Sequence, residues 1–493
     1  MLIGSLFRLS ALLQQMRLLG YVIGNPRTGQ ADFEAIDEIS KWTYTVIPHG
    51  DAYIFGRIEE VVRRTGLQPG EVRRRILRGE PLEAEETVIG KLVLFRIIDG
   101  SRSRPVDVPP RGGSPVYEAP RELIMKALRI SEPRRETAYI GRLYKYDVPV
   151  YLDINDLVPL HTVVLAQTGQ GKSYFAGVVI EELLKKGVTV MVIDTHGEYV
   201  EMAKPAQRTR LHEEFGVEPR GYGDRILVFS PDPRPGEKRL QFTTKSLSAS
   251  DILSMTGLRV SRRIQVILKR TLEMLKASGV PFTLADLAEQ LVVDSDDPNL
   301  ELLAEAILEV HRMGIFGERG VRLSELVERG KATIINLVGV PGRPRELVVA
   351  RLIKTIFQKR KEGKVPPMLL VVEEAHNYIP ERPGNALSKP IIATVAQEGR
   401  KFGLGLMVIS QRPARVDKNV ISQCNTKVIF KMEEKDLQAV QKSIEGFSSS
   451  LAQTIMSLER GTCVVMSPSL PMPLIVRVRP RESRHGGISG RVL

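Results

Sequence analysis

The sequence predicts an α/β fold built on a mainly parallel sheet, with a small β-barrel domain before it and a helical insertion within it. Apolar runs rich in β-branched residues alternate with helical patterns through the second half of the chain, which is typical of parallel sheets covered by helices. Residues 246–319 interrupt this alternation with helical patterns only. Short strand patterns separated by turn residues precede the sheet and favour a small barrel.

The sheet begins with a strand, a glycine-rich loop and a helix. The apolar run Thr162–Leu165 precedes Ala166–Ser173, which reads Ala-Gln-Thr-Gly-Gln-Gly-Lys-Ser. This order predicts a phosphate-binding loop, in which backbone N–H groups and the helix N-terminus face an anion. Alanine replaces the glycine that usually opens the pattern, so we expect the chain to turn at Ala166 with an ordinary dihedral angle.

The Lys-Ser pair at the end of the loop provides the first two residues that we predict to bind the nucleotide. We expect Lys172 to contact the β- and γ-phosphates of ATP, and the Ser173 hydroxyl to bind Mg²⁺. The rest of the predicted nucleotide-binding set comes from the loop and the residue after it: Gln167, Thr168, Gly169, Gln170, Gly171 and Tyr174.

Two adjacent carboxylates follow the apolar run Met368–Val372. We predict that Glu373 orients Mg²⁺, partly through water, and that Glu374 is the catalytic base that polarises the attacking water. Gln411 follows the next predicted strand, Leu404–Ser410, and is the candidate sensor of the γ-phosphate. Together with a phosphate loop, this arrangement predicts nucleotide hydrolysis.

Acidic residues also end the apolar run Val188–Asp194. At the carboxyl end of a parallel strand, Asp194 and Glu198 are expected to address the ligand crevice. They are auxiliary candidates for contacts with Mg²⁺, water or a loop of a neighbouring subunit.

Arg400 lies in Gln397–Lys401, directly before the predicted strand Leu404–Ser410. An arginine at a helix end often serves only as a cation that complements the helix dipole. The alternative is an arginine finger, which stabilises negative charge on the phosphate of a neighbouring subunit. Sequence spacing does not distinguish these two roles.

The chain has 493 residues and a net charge of +13. This length accommodates two or three domains. The charge favours a polyanionic partner such as nucleic acid, although solubility or growth at high temperature also explains it. Aromatic residues make up only 5% of the chain, which disfavours an aromatic platform for single strands. Cys424 and Cys463 lie far apart and lack the spacing of metal ligands.

The patterns also predict domain boundaries. Residues 1–19 form a leader, either an amphipathic helix or disordered, that is too short and too interrupted to span a membrane. We therefore expect a cytoplasmic protein with no membrane partner. The other predicted segments are a β-barrel at 20–145, an ATPase core at 146–245 and 320–480, a helical bundle at 246–319 and a tail at 481–493.

Further predictions concern single elements. The basic pattern Leu67–Arg78 predicts a helix with a solvated arginine face, and a nucleic-acid or partner contact is the alternative. Tyr144–Ile154 is predicted to form a strand or hairpin that enters the ATPase core. Ser250 and Thr283 occupy N-cap-like positions, and the segment from Arg479 onwards is predicted to be extended.

Taken together, four motifs resemble the HerA family, which comprises archaeal and bacterial DNA translocases of the HerA–FtsK group. The resemblance runs from about residue 20 to the C-terminus, and it departs from the family loop at Ala166. The motifs are Gln167–Ser173, Asp194–Tyr199, Glu373–His376, and Gly399–Leu404 with Ser410–Pro413.

The resemblance implies a RecA-like P-loop NTPase that assembles as a homohexamer with ATP at the subunit interfaces. Arg400 would then be the finger that acts on the neighbour, and Arg142 is a second candidate for contact with a neighbour's nucleotide. The family threads double-stranded DNA and works with the NurA nuclease in end resection for double-strand-break repair by homologous recombination. The barrel is the expected docking face for that nuclease.

Two other functions remain compatible with these residues. One is an ATPase motor of a secretion or conjugation system, although such relatives commonly carry membrane helices, for which no apolar run here is long enough. The other is a nucleotide-gated scaffold that holds a nuclease on DNA. The sequence thus predicts an ATP-driven helicase or translocase, with these two as alternatives.

Overall fold

The structure, a computed structural model, describes residues 16–66, 69–79, 86–100, 102–130, 133–293, 297–381, 385–444 and 446–487. The chain divides into two units. The first contains residues 1–131, 145–148 and 470–472, and the second contains 132–144, 149–469 and 473–493. Residues 132–144, which lie within the predicted barrel segment 20–145, belong to the second unit. Most of the predicted leader lies outside the described residues.

The first unit is a closed antiparallel barrel. Around the barrel the strand order is β1, β7, β3, β4, β5 and β2, and the pairing of β2 with both β1 and β5 closes it. This closure confirms the predicted barrel. The strands are β1 (Leu18–Ile23), β2 (Gln30–Ala35), β3 (Tyr44–His49), β4 (Ala52–Thr65), β5 (Glu86–Asp99), β6 (Arg102–Arg104) and β7 (Pro115–Glu118).

Alternating side chains build the barrel core. In β2, Ala31 and Phe33 are buried between exposed neighbours, as the two-residue period of a strand requires. Gly90 of β5 lies against Phe33, where a Cβ atom would come within 2.1 Å of the ring, so any side chain there would displace the aromatic core. The leader prediction is wrong at its end, because Leu18 starts β1 and Leu19 is buried.

Two helices accompany these strands, α1 (Pro69–Arg78) and α2 (Arg121–Ala127). Arg73 and Arg74 of α1 are exposed, in agreement with the predicted solvated arginine face. Leu67, with which that predicted helix begins, lies outside the described residues.

The second unit is built on a mixed sheet. Its strand order is β13, β12, β16, β11, β17, β18, β10, β19, β20, β21, β8 and β9. The first eight strands in this order, which end with β19, pair in parallel. The last four, β20, β21, β8 and β9, pair antiparallel with their neighbours. The strands are β8 (Thr137–Leu143), β9 (Pro149–Asp153), β10 (Thr162–Leu165), β11 (Thr189–Asp194), β12 (Ile226–Ser230), β13 (Lys238–Arg239), β16 (Ala332–Asn336), β17 (Met368–Val372), β18 (Leu404–Ser410), β19 (Thr426–Phe430), β20 (Thr462–Met466) and β21 (Leu474–Val478), with β14 (Phe242–Thr243) and β15 (Phe316–Gly317) paired separately.

The hairpin that enters this sheet lies earlier than predicted. It consists of β8 and β9, and residues 144–148, which the prediction assigned to a strand, connect them. Gly141 of β8 lies so close to β21 that a Cβ atom would come within 2.1 Å of the Arg477 carbonyl oxygen. This close pairing makes β8 part of the ATPase sheet rather than of the barrel.

Helices connect most of the parallel strands. The helix that follows the phosphate loop, α4, is buried at every position from Phe175 to Leu184, as expected for an interior helix that is apolar on most sides. The helices are α3 (Ile154–Leu157), α4 (Lys172–Lys185), α5 (Arg210–Phe215), α6 (Ala249–Thr256), α7 (Arg262–Ala277), α8 (Leu284–Val292), α9 (Pro298–Arg312), α10 (Leu323–Leu326), α11 (Gly342–Lys361), α12 (Lys389–Glu398), α13 (Lys418–Gln423), α14 (Glu434–Gln441) and α15 (Ser449–Met456).

The helices α6 to α9 form the predicted helical insertion. In α7, Ile264, Leu268 and Leu272 are buried at intervals of four residues, which creates one apolar face toward the neighbouring helices. Most charged residues of α7 are exposed, whereas Lys276, one turn after Leu272, is half-buried and donates to the Leu247 carbonyl. The insertion thus packs as amphipathic helices.

Capping residues set the starts of two insertion helices. Thr283 caps α8, as predicted, by accepting the backbone N–H of Asp286 at 3.2 Å. The predicted cap at Ser250 is wrong, because Ser248 caps α6 and accepts the backbone N–H of Asp251 at 3.1 Å. In return, the Ser248 backbone N–H donates to the Asp251 carboxylate at 2.9 Å and completes a capping box, and this second bond favours the earlier start.

The prediction of an extended segment from Arg479 is incomplete. Residues 479–487, which we call the C-terminal strap, form no helix, but Arg479 and Arg481 are buried. Arg479 forms ion pairs of 3.0 Å with Glu181 and 2.9 Å with Glu182, both on α4. The strap is therefore anchored to the helix that follows the phosphate loop.

Glu181 provides much of this anchor. Its Oε2 accepts the backbone N–H of Glu482 at 3.0 Å, and its Oε1 accepts that of Ser483 at 2.9 Å. The Ser483 hydroxyl donates to the same Oε1 at 2.6 Å. A buried carboxylate with this many donors is compensated for the loss of water.

Glu181→Ala is expected to destabilise the second unit by about 3–5 kcal/mol, because Arg479 would stay buried with one counter-charge removed. The midpoint of thermal unfolding, followed by circular dichroism, measures this effect. Glu201→Ala is the matched control, since Glu201 pairs with the exposed Arg484 at 3.7 Å and surface pairs contribute little. Equal midpoints for the two variants would contradict a stabilising role for Glu181.

Candidate active site

A cleft of about 580 Å³ lies where the parallel strands β10, β17 and β18 end. The phosphate loop forms one side of it, because Thr168–Tyr174 line the cleft. Three predicted site residues from other segments also line it, namely Glu198, Glu374 and Gln411. The carboxyl ends of parallel strands are where open α/β sheets bind their ligands, and the volume suits a nucleotide-sized molecule.

Two glycines shape the phosphate loop. Gly169 has a φ of 77° and Gly171 a φ of 115°, conformations that favour glycine. Gly171 is also the N-cap of α4, and no side chain among the described residues caps this helix. The N–H groups of its first turn are therefore available to an anion.

Ala166 is accommodated without strain. It is buried, and it does not belong to the residues with positive φ, so the expected ordinary dihedral angle is confirmed. Its backbone N–H donates to the Ser410 carbonyl at 3.4 Å, and that of Gln167 donates to the Lys431 carbonyl at 3.1 Å. Gln167, a predicted nucleotide contact, is thus held in the sheet, and it is not among the cleft-lining residues.

Lys172 lies between two buried carboxylates. Its ammonium group is 3.0 Å from Glu374 Oε1 and 3.8 Å from Glu373 Oε2. Burial lowers the pKa of Lys172, but Glu373 and Glu374 outweigh this effect, so its pKa is raised. The lysine is therefore charged. A phosphate group can take the place of the two carboxylates as its negatively charged partner.

Glu373 is buried and only partly satisfied. Its Oε1 accepts a hydrogen bond from the Tyr199 hydroxyl, whereas Oε2 has no hydrogen-bond donor among the described residues. Burial raises the pKa of Glu373 to about 7, although Lys172, Tyr199 and the nearby Ser173 hydroxyl oppose the rise. An orphaned carboxylate oxygen near a serine hydroxyl fits a hard cation, so Ser173 and Glu373 are the residues that would hold Mg²⁺.

Glu374 has a left-handed backbone, with φ of 48° and ψ of 46°. This conformation costs a residue with a Cβ atom roughly 1–2 kcal/mol, and such strain is concentrated at functional sites. This left-handed backbone interrupts the alternation of side chains directly after β17, so that the carboxylates of Glu373 and Glu374 both reach Lys172. Glu374 Oε2 also lies 3.3 Å from His376 Nδ1, and the same nitrogen is 3.3 Å from Ser410 Oγ.

Asp194 has a different role from the one predicted. It is fully buried, and its oxygens accept the backbone N–H groups of Gly197 at 2.8 Å, Glu198 at 3.1 Å and Tyr199 at 3.0 Å. These bonds fold the turn after β11 and bring Tyr199 to Glu373. Both carboxylate oxygens of Asp194 accept hydrogen bonds from this turn, so Asp194 is a positioning residue. Glu198, which belongs to the same turn, lines the cleft.

Gln411 and Arg400 lie at opposite ends of β18. Gln411 accepts a hydrogen bond from the Thr168 hydroxyl at 2.6 Å, which places it beside the phosphate loop. Arg400 is exposed and precedes the amino end of the strand. Because the strand between them covers roughly 20 Å, Arg400 does not reach the cleft of its own chain.

Arg142 is not among the residues that line the cleft, although it lies beside one of them, Arg477. In β8 it faces Arg477 of β21 in the strand register, and both guanidinium groups lie 5.4 Å from the centroid of the Phe215 ring. Contact with a neighbour's nucleotide stays a prediction.

The cleft contains residues that sequence patterns did not indicate. Only Arg477 carries a signal, because it interrupts the apolar strand Leu474–Val478 with a charge. The others come from segments far from the phosphate loop along the chain, so spacing could not relate them to it. Among the missed lining residues are Phe430, Arg460, Arg477, Pro480 and His485.

The parallel sheet, the phosphate loop and the paired carboxylates define a P-loop ATPase. Residues 138–356 match the family model described as the central domain of the helicase HerA. The chain is 25% identical to the DNA double-strand break repair helicase HerA of Sulfolobus acidocaldarius over 95% of its length and 94% of that protein. It is 27% identical to that of Saccharolobus solfataricus, over 95% of its length and 93% of that protein. Over nearly its whole length the chain is thus similar to HerA helicases, and it is an ATP-hydrolysing enzyme.

Among solved structures, VirB4 of Thermoanaerobacter pseudethanolicus has the same fold. The TM-score is 0.52 at 15% identity, with 71% of this chain and 97% of that chain covered. A likeness at this identity concerns the fold alone. In the part of the chain that the structure describes, no helix is both long and apolar enough to cross a membrane.

Tyr199→Phe removes the hydroxyl that donates to Glu373 and keeps the ring. We expect the gain in ADP affinity that Mg²⁺ provides to fall about tenfold, because a ligand carboxylate that loses its supporting hydrogen bond is less well oriented. Calorimetric titration of ADP with and without Mg²⁺ measures this gain. Tyr146→Phe is the control, since its hydroxyl binds the Tyr44 backbone in the barrel. An unchanged gain in Tyr199→Phe would contradict the assigned role.

Proposed function

We propose that this protein is an ATP-driven DNA motor, a helicase or translocase, that acts in the repair of DNA double-strand breaks. Three archaeal relatives that match 95% of the chain are named DNA double-strand break repair helicases. The observation that carries the proposal is the buried cluster of Lys172, Glu373 and Glu374, because it combines the groups that phosphoryl transfer to water requires. The net charge of +13 suits a polyanionic partner.

In this proposal ATP enters the cleft as a competing anion. Its phosphates replace the carboxylates at Lys172, and the N–H groups at the start of α4 complete the phosphate site. Glu374, released from the lysine, accepts the proton of the attacking water. Ser173 and Glu373 would hold Mg²⁺, which when bound would neutralise part of the phosphate charge. Gln411 beside the loop is placed to respond when the γ-phosphate leaves.

A neighbouring subunit completes the site. Arg400 is exposed and lies at the edge of the sheet opposite the cleft, so its charge is available to another chain. We propose a homohexameric ring in which Arg400 is the finger that acts on the neighbour, with Arg142 as a second contact. Stabilisation of the phosphate charge by such a finger contributes about 10³–10⁵ in rate.

The proposed substrate is double-stranded DNA in the pore of the ring. Lysine and arginine contacts to phosphates give binding that is independent of sequence and weakens with salt. By the same resemblance, the proposed partner is the NurA nuclease, which would dock on the barrel during end resection for homologous recombination. These finer assignments depend on the family motifs in the phosphate loop, after β11, after β17 and around β18.

Lys172→Ala is expected to abolish ATP hydrolysis and the displacement of a protein roadblock from duplex DNA, because the phosphates lose their main cation. ATP turnover with and without duplex DNA, and release of the roadblock, are the measurements. Lys186→Ala, an exposed lysine just after α4, is the control and should behave as wild type. Normal hydrolysis by Lys172→Ala would disprove the site. DNA-stimulated hydrolysis without roadblock displacement in the wild type would indicate a scaffold instead of a motor.

Arg400→Ala is expected to bind ATP normally and to hydrolyse it about 10³-fold more slowly, because the finger acts after binding. Mixing it with Glu374→Gln subunits should restore part of the activity, since each chain then supplies what the other lacks. Steady-state turnover of the mixtures measures the rescue. The exposed neighbour Lys401 provides the control variant Lys401→Ala. Full activity of Arg400→Ala alone, or no rescue on mixing, would refute a finger supplied by the neighbour.

A further inference from the structure

The side chain of Arg400 is not fixed by polar contacts of its own. It is exposed, and among the described residues it forms no hydrogen bond and no ion pair. Its backbone belongs to the segment Gly399–Gly403, which we call the finger turn and which begins as a single 3₁₀ turn. The place from which Arg400 reaches outward is therefore set by the residues that hold this turn.

One side of the finger turn is held by α11 and β17. Arg360 of α11 donates from Nε to the Phe402 carbonyl at 2.6 Å, and the Phe357 ring packs edge-on against the Phe402 ring with 5.8 Å between their centroids. The Gly403 carbonyl accepts the backbone N–H of Met368, the first residue of β17, at 3.1 Å. The second half of the turn is thus fixed to the body of the ATPase unit.

The first half of the turn lies against His161. A Cβ atom at Gly399 would lie 3.5 Å from His161 Cε1, which is an ordinary van der Waals distance. Only the space of a methyl group therefore separates the imidazole from the Gly399 backbone. The same Cβ atom would lie 2.4 Å from the Leu404 carbonyl oxygen, so the turn approaches β18 this closely only because residue 399 is glycine.

His161 is itself fixed by the sheet. Its Nδ1 accepts the backbone N–H of Leu406 in β18 at 3.0 Å, and its carbonyl accepts that of Thr426 in β19 at 3.1 Å. Because a backbone N–H can only donate, Nδ1 is the acceptor, and the ring proton of the neutral imidazole lies on Nε2. His161 directly precedes β10, so these bonds connect it to the strands on both sides of β10.

Two features of His161 are unusual for a residue of the protein interior. Its backbone has a φ of 57°, and strain of this kind persists where the surroundings impose it and is concentrated at functional sites. Its Nε2 is buried without a hydrogen-bond acceptor among the described residues. Burial lowers the pKa of His161 to about 4, the Ala396 carbonyl at the end of α12 opposes this fall, and Arg400 adds to it. The ring is therefore neutral and does not repel the nearby guanidinium group.

We propose that His161 is a positioning residue for Arg400. Its imidazole, held by β18 at Nδ1, supports the backbone at Gly399 and so sets the place from which Arg400 reaches the neighbouring subunit. This inference rests on the finger role proposed above for Arg400 and adds the residue that orients the finger. Since β10 leads directly to the phosphate loop, His161 lies between the nucleotide site of its own chain and the cation that this chain supplies to the next.

Substitutions that keep one end of the imidazole test this role. His161→Asn keeps an acceptor near the Nδ1 position and tolerates the left-handed backbone, but it lacks the ring atoms that face Gly399. This variant should bind ADP like the wild type in calorimetric titration and hydrolyse ATP about 10²-fold more slowly, as a misplaced catalytic group does. His161→Gln reaches as far as Nε2 and should keep most of the turnover. His49→Asn, at a half-buried histidine of the barrel, is the control and should behave as wild type.

Mixed rings show which nucleotide site the substitution affects. Glu374→Gln subunits, which have an intact finger, should restore part of the turnover of His161→Asn subunits, whereas Arg400→Ala subunits, which lack the finger, should not. The reverse pattern would overturn the proposal, because it would locate the defect in the phosphate loop of the variant itself. Any other pattern of rescue, full activity of His161→Asn, or an equal loss of turnover in His161→Gln would also overturn it.

Arg400→Ala alone separates this inference from the proposed function. If that variant keeps full activity, the finger assignment fails and the role of His161 fails with it. If Arg400→Ala is slow and is rescued by Glu374→Gln subunits while His161→Asn is fully active, the finger stands and only the role of His161 is refuted.

Discussion

The site depends on a buried cation that is held between two buried carboxylates. Lys172 has a side chain only 11% exposed, and those of Glu373 and Glu374 are 3% exposed. Removing Lys172 would leave two buried carboxylates without their cation, at a cost of about 3–5 kcal/mol. The same arrangement makes the cluster exchangeable, because a phosphate satisfies the lysine as well as a carboxylate does. In the proposed mechanism, each carboxylate that the lysine releases is then available to a cation or to water, so ligand binding and activation of the base would follow from one exchange of partners.

Each member of the cluster is positioned by a different element. The left-handed backbone of Glu374 turns its carboxylate toward the lysine at the end of β17, and the hydrogen bonds of Asp194 bring Tyr199 to Glu373. The phosphate loop, with its two positive φ angles, sets the start of α4. Groups oriented in advance act on a substrate without reorganising, which explains why the structure tolerates a strained residue and a partly satisfied carboxylate here.

The ATP site extends well beyond the phosphate loop. The strap is bound to α4 through Glu181, and α4 starts at the loop, so a displacement of the helix would move the strap with it. Arg400, in contrast, lies at the far end of β18. The chain therefore holds the phosphate loop and the carboxylate proposed as the base, while the cation proposed to complete the transition state faces outward. This division links hydrolysis to assembly.

The sequence by itself determined the local features: the phosphate loop, the carboxylate pair after an apolar strand, the alternation that predicts a parallel sheet and the helical insertion with its cap at Thr283. These features depend on side-chain periodicity and residue chemistry within a few positions, which a single stretch of chain contains. Only the tertiary structure decided that Asp194 positions a turn, that Arg400 is remote from its own cleft, and that His485 belongs to the site. Each of these depends on contacts between segments that are distant along the chain, and residue spacing carries no information about such contacts.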